Sequence, residues 1–566
     1  MSAAVPLKVV LCWHMHQPYY FDHAAGEFQL PWSYLHAIKD YQDMAAILEA
    51  TPGARAVINF APTLLEQLDR YDQELQHHLQ RGGALSDPLL AALAGAALPT
   101  EPVQREQLLA ACLKINQERL MARFPLFRQL GEIALMVQQQ PLLLHYLEDQ
   151  LLIDLLVWYH LAWIGETIRR DDQRIQQLMA RGRDYTLADR QLLVTVISEI
   201  MASLLPRYRA LAESGRIELS MTPYAHPIVP LLLDFNSAHE TQPQAPLPRA
   251  THYPGGAERA QWHIDEGRKL FRHYFGQAPA GCWPAEGGIS EAALALYERA
   301  GFHWVASGES VLHHSLQRGH VQQPHCIHRP YRYGEGKLNC FFRDDGLSDL
   351  IGFTYANWHG DDAVNNLIHH LENIASACRH DPDRVVPIIL DGENAWEYYP
   401  ENGYHFLTAL YRRLADHPSL QLTTFSDALA SGIKSLALPH ICAGSWVYGS
   451  FSTWIGDPEK NRAWDLLVEA KQLFDRVRAT GRLKGRRLHR VARQLAICEG
   501  SDWFWWFGDY NPTGSVRDFD RLYRLQLAEL YRLLEEPIPA AIGEVISHGG
   551  SAATEAGGVM RRGREG

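Results

Sequence analysis

The sequence predicts an α/β protein built as a barrel of parallel strands, with helical additions, and three observations carry that prediction. Short apolar or β-branched runs alternate with long segments of helical period over most of the 566 residues. Several of these runs lead into a helix-start signal: Ser290 opens EAALALYERA, which Gly301 follows, and Ser426 opens DALASG. A βα unit repeated and closed on itself is a barrel, so the strand ends become the places to look for chemistry.

Taken in order, residues 7–13 (LKVVLCW) read as a first strand buried on both faces. Further strands are expected at 55–60, 216–220, 281–283, 303–306, 352–355, 385–390 and 421–424. Between about 64 and 212 the chain is rich in Leu and Gln with helical period and almost no strand signal, which predicts a helical insertion. Residues 234–256 are polar with four prolines and predict a long surface loop. Beyond about 430 the strands stop, and 458–481, 486–498 and 517–535 each carry an apolar helical face. The expected organisation is therefore a catalytic barrel over 1–430, a C-terminal helical domain over 431–543, and a Gly-, Ser- and Arg-rich disordered tail over 544–566.

Bulk chemistry narrows the function. With 46% hydrophobic and 21% charged residues the chain is an ordinary globular one. Its net charge of −12 opposes binding to nucleic acid or anionic lipid, and the basic cluster at 484–490 alternates with apolar residues as a solvated helix face does. Eight cysteines contain no C-x-x-C pair, no apolar stretch nears the ~20 residues of a membrane span, and the N-terminus lacks the pattern of a signal peptide. A cytoplasmic protein is expected. No G-x-G-x-x-G, Walker loop or G-x-S-x-G is present, so neither a nucleotide cofactor nor a serine nucleophile is expected.

Five segments place acids or histidines at strand or helix ends: LCWHMHQPYY with His14 and His16, RIELSMTPYAHP with Glu218, GCWPAEGGIS with Glu286, VVPIILDGENAWEYYP with Asp391 and Glu393, and AICEGSDWFWWFGDY with Glu499 and Asp502. An acid directly after VVPIIL sits at the rim of the sheet, and a second two positions on shares its side if the backbone stays extended. Paired carboxyls suit general acid/base work because like charge raises one pKa. Asp391 read alone is equally a turn cap; Glu286, hemmed by Pro and two Gly, resists that explanation. The tryptophans at 13, 283, 358, 396, 503, 505 and 506 suggest a sugar site, since pyranose faces stack on aromatics. Alternate histidines after a first strand also occur as metal ligands. His226, His303 and His359 are the histidines such a site would recruit, but none has a recognisable ligand spacing, so no metal is expected.

The five segments, in this order, resemble the conserved regions of glycoside hydrolase family 57. HMHQPY looks like its first motif, GRIELS its second, WPAEGG its third, LDGENAWE its fourth and EGSDWFWWFGD its fifth, a resemblance spanning roughly residues 11–510. It implies a (β/α)7 barrel with a C-terminal helical domain, and retaining chemistry on α-glucans such as starch, glycogen or maltooligosaccharides, with no cofactor or metal. It implies Glu286 as nucleophile and Asp391 as acid/base, with carboxyls about 5–5.5 Å apart. His14, His16, Glu218 and Glu393 would bind sugar hydroxyls, Glu393 also helping to keep Asp391 protonated; Asp502 would contact substrate, and Trp283 and Trp505 would stack on sugars. The third and fourth motifs look more like the α-amylase and amylopullulanase branch. A 4-α-glucanotransferase or other transglycosylase uses the same residues. A glucan-binding protein without activity would lack a catalytic carboxylate, and both are present.

Overall fold

Seven parallel strands organise the chain in the computed structural model, which describes residues 5–324, 326–550 and 560. They are β1 (Leu7–Met15), β2 (Ala56–Phe60), β3 (Ile217–Met221), β4 (Gly281–Cys282), β5 (Trp304–Gly308), β6 (Asn339–Arg343) and β7 (Val385–Asp391). All nine residues of β1 are buried, as a strand covered on both faces requires. It is flanked by β7, from Lys8 opposite Val385 to His14 opposite Asp391, and by β2, from Cys12 opposite Val57 to Met15 opposite Phe60. Strands β2 to β6 follow in chain order. The Asp344 amide donates to the Pro387 carbonyl at 2.8 Å and closes β6 onto β7, completing a (β/α)7 barrel. Near the start of β7 the seam is filled by the segment before Tyr331–Tyr333, where the Val385 amide donates to the His328 carbonyl at 2.8 Å. Val10, Val57, Trp283, Trp304, Phe341, Ile389 and Phe425 fill the barrel interior.

Between β2 and β3 the elements are helices, from Pro62–Arg81 to Leu187–Glu213. Helices Pro458–Ala479, Gly485–Cys498 and Thr513–Leu534 form a C-terminal helical region. No helix among the described residues is long and apolar enough to cross a membrane, and all eight cysteines are unpaired and buried.

Several expectations need correction. Residues 352–355 are helical rather than extended, and the sixth barrel strand is Asn339–Arg343. Asp344 caps the intervening helix, accepting from the Leu347 amide at 2.7 Å, and once nucleated the helix runs on through a π turn at Leu350–Thr354. Thr424, not Ser426, caps Phe425–Ala430. The polar stretch 234–256 docks on the C-terminal helices through Ala250 and Arg249 to Asp465. Residues 544–550 are not loose: the Ile546 and Ser547 amides donate to Asp520 and both residues are buried. The rest of the expected tail, Met560 excepted, lies outside the described residues.

Candidate active site

The loops after the C-terminal ends of the barrel strands enclose a cavity of about 550 Å³ against the C-terminal helical region, where a barrel places its chemistry. His14, His16, Glu286, Asp391, Glu393, Asp502 and Trp505 all line it. They come from three separate strand ends and from the short helix Asp502–Trp506.

His14 is the next-to-last residue of β1 and points into a polar chain. Its Nδ1 meets Asn59 Oδ1 at 2.7 Å and its Nε2 meets His226 Nε2 at 3.0 Å; His226 Nδ1 lies 2.8 Å from Ser501 Oγ. Asn59 is oriented by Thr222, which donates to Oδ1, and by its own donation to Ser220. Its Oδ1 can only accept, so His14 Nδ1 carries the proton, His226 donates through Nε2, and Ser501 donates to His226. Burial, reinforced by the neighbouring His16, pushes His14 down to about 3. Burial, followed by the charges of His16 and His14, also lowers His226 far below the ordinary range. Both rings are therefore neutral. His16 stacks on His226 at 3.8 Å between ring centroids and holds Asp502 Oδ1 at 2.7 Å through Nε2. Nδ1 of His16 and Oε2 of Glu393 are buried and find no hydrogen-bond partner among the described residues.

Glu286 lies in a single turn, Ala285–Gly287, with φ of +57°. The Trp446 indole donates to its Oε2 at 2.8 Å and the Trp446 amide to its carbonyl at 3.0 Å. Its other oxygen lies 3.9 Å from His226 Nδ1. Asp391 ends β7 and receives the Asn394 side-chain amide at 2.9 Å. Burial raises Asp391 to about 6 against the opposing pull of Asn394, His16 and Arg343. Burial, then the charges of Asp391 and Asp40, lifts Glu393 far above the carboxylate range, with Gln17 donating to it at 3.1 Å. Burial, with the charge of Asp391 second, thus favours neutral Glu393, and Glu393 is not among the groups that shift Asp391.

Two expected site residues lie elsewhere. Glu218 is the second residue of β3, near the opposite end of the barrel. Its carboxylate accepts from the Ser426 amide and hydroxyl and from the Trp304 indole, at 2.9, 2.6 and 2.7 Å, which makes it part of the barrel floor. Trp283 is completely buried in the barrel interior, sealed from the cavity by the ring of Trp446 at 5.2 Å. Sequence reasoning missed Trp446, Trp32 and Trp163 as cavity walls and weighed His226 only as a ligand candidate. His226 follows β3 directly, and that position was its signal; Trp446 follows no barrel strand. Residues 503–507 are all buried, because the short helix is enclosed on every side: Trp506 stacks on Phe519 at 4.6 Å and Phe504 on Trp464 at 4.3 Å.

The ligand atoms of His14, His16 and His226 lie within 4.8 Å of one another. Three imidazoles at that spacing are a donor set that a metal ion could use, although the facing nitrogens of His14 and His226 are already hydrogen-bonded to each other.

A model of the family described as glycosyl hydrolase family 57 matches residues 10–436. No curated protein matches the sequence. Among solved structures, the chain is similar to a family 57 branching enzyme from Thermococcus kodakaraensis, in complex with glucose and additives, at 13% identity over 96% of this chain and 94% of that one, with a TM-score of 0.57. It is similar to the α-amylase AmyC from Thermotoga maritima at 12% identity, over 95% of each chain, with a TM-score of 0.58. A 4-α-glucanotransferase from Thermococcus litoralis matches at 13% identity over 93% of this chain and 60% of that one, with a TM-score of 0.50. At such identities the likeness is one of fold.

Proposed function

The chain belongs to glycosyl hydrolase family 57, and we propose that it is a retaining enzyme of α-glucans in which Glu286 is the nucleophile and Asp391 the acid/base. The observation that carries this reading is the contrast between two cavity carboxyls. Glu286 is gripped at Oε2 by an indole N–H, a donor that serves the carboxylate form. Asp391 is raised by burial to about 6, where it can hold a proton and still release it. Glu286 attacks the anomeric carbon while Asp391 protonates the departing oxygen; a covalent glycosyl-enzyme forms, and Asp391 then deprotonates the incoming hydroxyl. His16 Nδ1, Glu393 and Asp502 bind hydroxyls of the sugar under attack, and Trp505 stacks on a neighbouring sugar.

The incoming hydroxyl belongs to water in the first reading, an α-amylase-like hydrolysis in line with the third and fourth motifs. A second reading, glucanotransfer, is favoured by the aromatic walls. Trp32 and Trp446, both partly exposed on the cavity, offer an acceptor sugar apolar faces while shedding water. The test is incubation with a linear maltooligosaccharide in chelator, beside Glu286→Ala, following chain lengths and reducing ends. New reducing ends lost in the variant support hydrolysis without metal. Redistributed lengths without new ends support transfer. Activity that falls on chelation and returns with added metal, in Cys326→Ser as in the unaltered chain, would make the histidine cluster a metal site and overturn the metal-free mechanism.

A further inference from the structure

A second group of ligating side chains sits at the other end of the barrel. The His328 carbonyl binds the first residue of β7, whose last residue is Asp391, so the two regions stand roughly 20 Å apart at the rise of a strand. Here the thiols of Cys326 and Cys378 and the imidazole of His328 bring their ligand atoms within 4.8 Å of one another. Both cysteines are buried, and His328 is nearly so.

The surroundings orient these groups as a metal site requires. His328 Nε2 is held by Asp344 Oδ2 at 2.8 Å, which leaves Nδ1 for the two cysteines, whose sulfurs lie within 4.8 Å. The other oxygen of Asp344 accepts from the Leu347 amide at 2.7 Å, so the carboxylate cannot swing away. A carboxylate behind a histidine fixes its tautomer and raises its basicity as a ligand. Cys378 ends the helix Gly360–Ala377, with its amide on the Ile374 carbonyl at 2.9 Å. The nearby acids Asp381 and Asp383 are occupied by Arg329 at 2.9 and 3.1 Å, so the donors are two sulfurs and one nitrogen. The group opens on a groove lined by Gln323, Pro324 and Ile374, which admits water.

We propose that Cys326, His328 and Cys378 bind one zinc-class divalent cation, with water as the fourth ligand. Two sulfurs and an imidazole select a soft or borderline ion over magnesium or calcium. On binding, two S–H protons leave to solvent, as does any proton on Nδ1 of His328; two metal–sulfur bonds and one bond from Nδ1 form, with Nε2–H staying on Asp344. Tetrahedral coordination draws the ligand atoms to about 3.5–3.8 Å of one another, a contraction of at most ~1 Å. The ion would clamp the segment before Tyr331–Tyr333 to the helix end at the barrel seam.

The full chain, reduced and stripped with chelator, is titrated with cobalt(II). The expected result is a thiolate-to-cobalt charge-transfer band that saturates at one equivalent, release of at least two protons per ion, and displacement by zinc. The band disappears in Cys326→Ser and in Cys378→Ser. Cobalt at His14, His16 and His226 would give no such band, since that cluster has no sulfur. A parallel measurement needs no variant: zinc should slow alkylation of Cys326 and Cys378 at least tenfold and leave the other six cysteines unaffected, as read by peptide mapping. The absence of a thiolate band at saturating cobalt, equal alkylation with and without zinc, or a Cys326–Cys378 disulfide in the purified protein would each overturn the proposal.

Discussion

Glu286 and His226 hold φ angles of +57° and +56°, a region that costs a residue with a Cβ about 1–2 kcal/mol. Both face the cavity, and strain of this kind persists where surrounding contacts force it, here the two bonds from Trp446 to Glu286. Glu286→Gly and Glu286→Ala are both expected to abolish activity, with the glycine variant the more stable by about 1 kcal/mol in urea unfolding; equal stabilities would mean that the turn relaxes. Asp391 supplies the next expectation. Its proton is needed for bond cleavage, so kcat/KM should fall as pH rises through about 6. Asn394 favours the charged form through its hydrogen bond, so Asn394→Ala should move that limb to higher pH. Glu393→Gln should leave it in place, because Glu393 is not among the groups that shift Asp391. A limb that moves with Glu393 and not with Asn394 would reverse that assignment. The residues at strand ends were legible because chain position alone puts them at the mouth. Glu218 and Trp283 were not: three residues along a strand move a side chain to the far end, and which way a side chain at a strand end turns is decided by neighbours such as Trp446.

At the scale of elements, the helix Gly256–Phe275 is tied to Gly485–Cys498 by a buried cluster. Arg259 and His263 both grip Glu499, each at 2.7 Å at closest. Burial opposes the charge of Glu499, yet Arg259 and His263 hold it down to about 2. The stabilisation is therefore complete above the ordinary carboxylate range and is lost as pH falls from there towards 2. Arg259→Ala is expected to cost about 3–5 kcal/mol at neutral pH by stranding a buried charge, and the deficit should narrow as pH falls; a deficit independent of pH would point to lost packing instead. Long periodic helices were legible here because each carries its own apolar face. The sixth strand was not, since NCFFR is too short to display a period and is extended only because β5 pairs with it. The β-prone run at 352–355 was captured by the helix that Asp344 starts upstream.

For the whole molecule, the net charge of −12 and the neutral α-glucan proposed as its substrate lead to a simple expectation. Without charges to steer, kcat/KM on maltooligosaccharides should change less than about twofold between low and ~0.5 M salt, where surface charges are screened. A steep fall would argue for a charged substrate. The barrel itself was legible as a rhythm of strands and helices. Its closure was not, because the seam from Asp344 to Pro387 joins segments with no local signal of their meeting.

The bond between His16 and Asp502 joins residues 486 positions apart, and this has a consequence for the birth of the molecule. At about 5–20 residues per second, a ribosome needs roughly 25–100 s to make the second partner after the first. Through most of that interval β1 has no β7 beside it, and a lone apolar strand is the kind of surface that chaperones guard. The pocket at the barrel mouth is thus incomplete until residue 502 has been made, and a shorter nascent chain cannot hold it assembled.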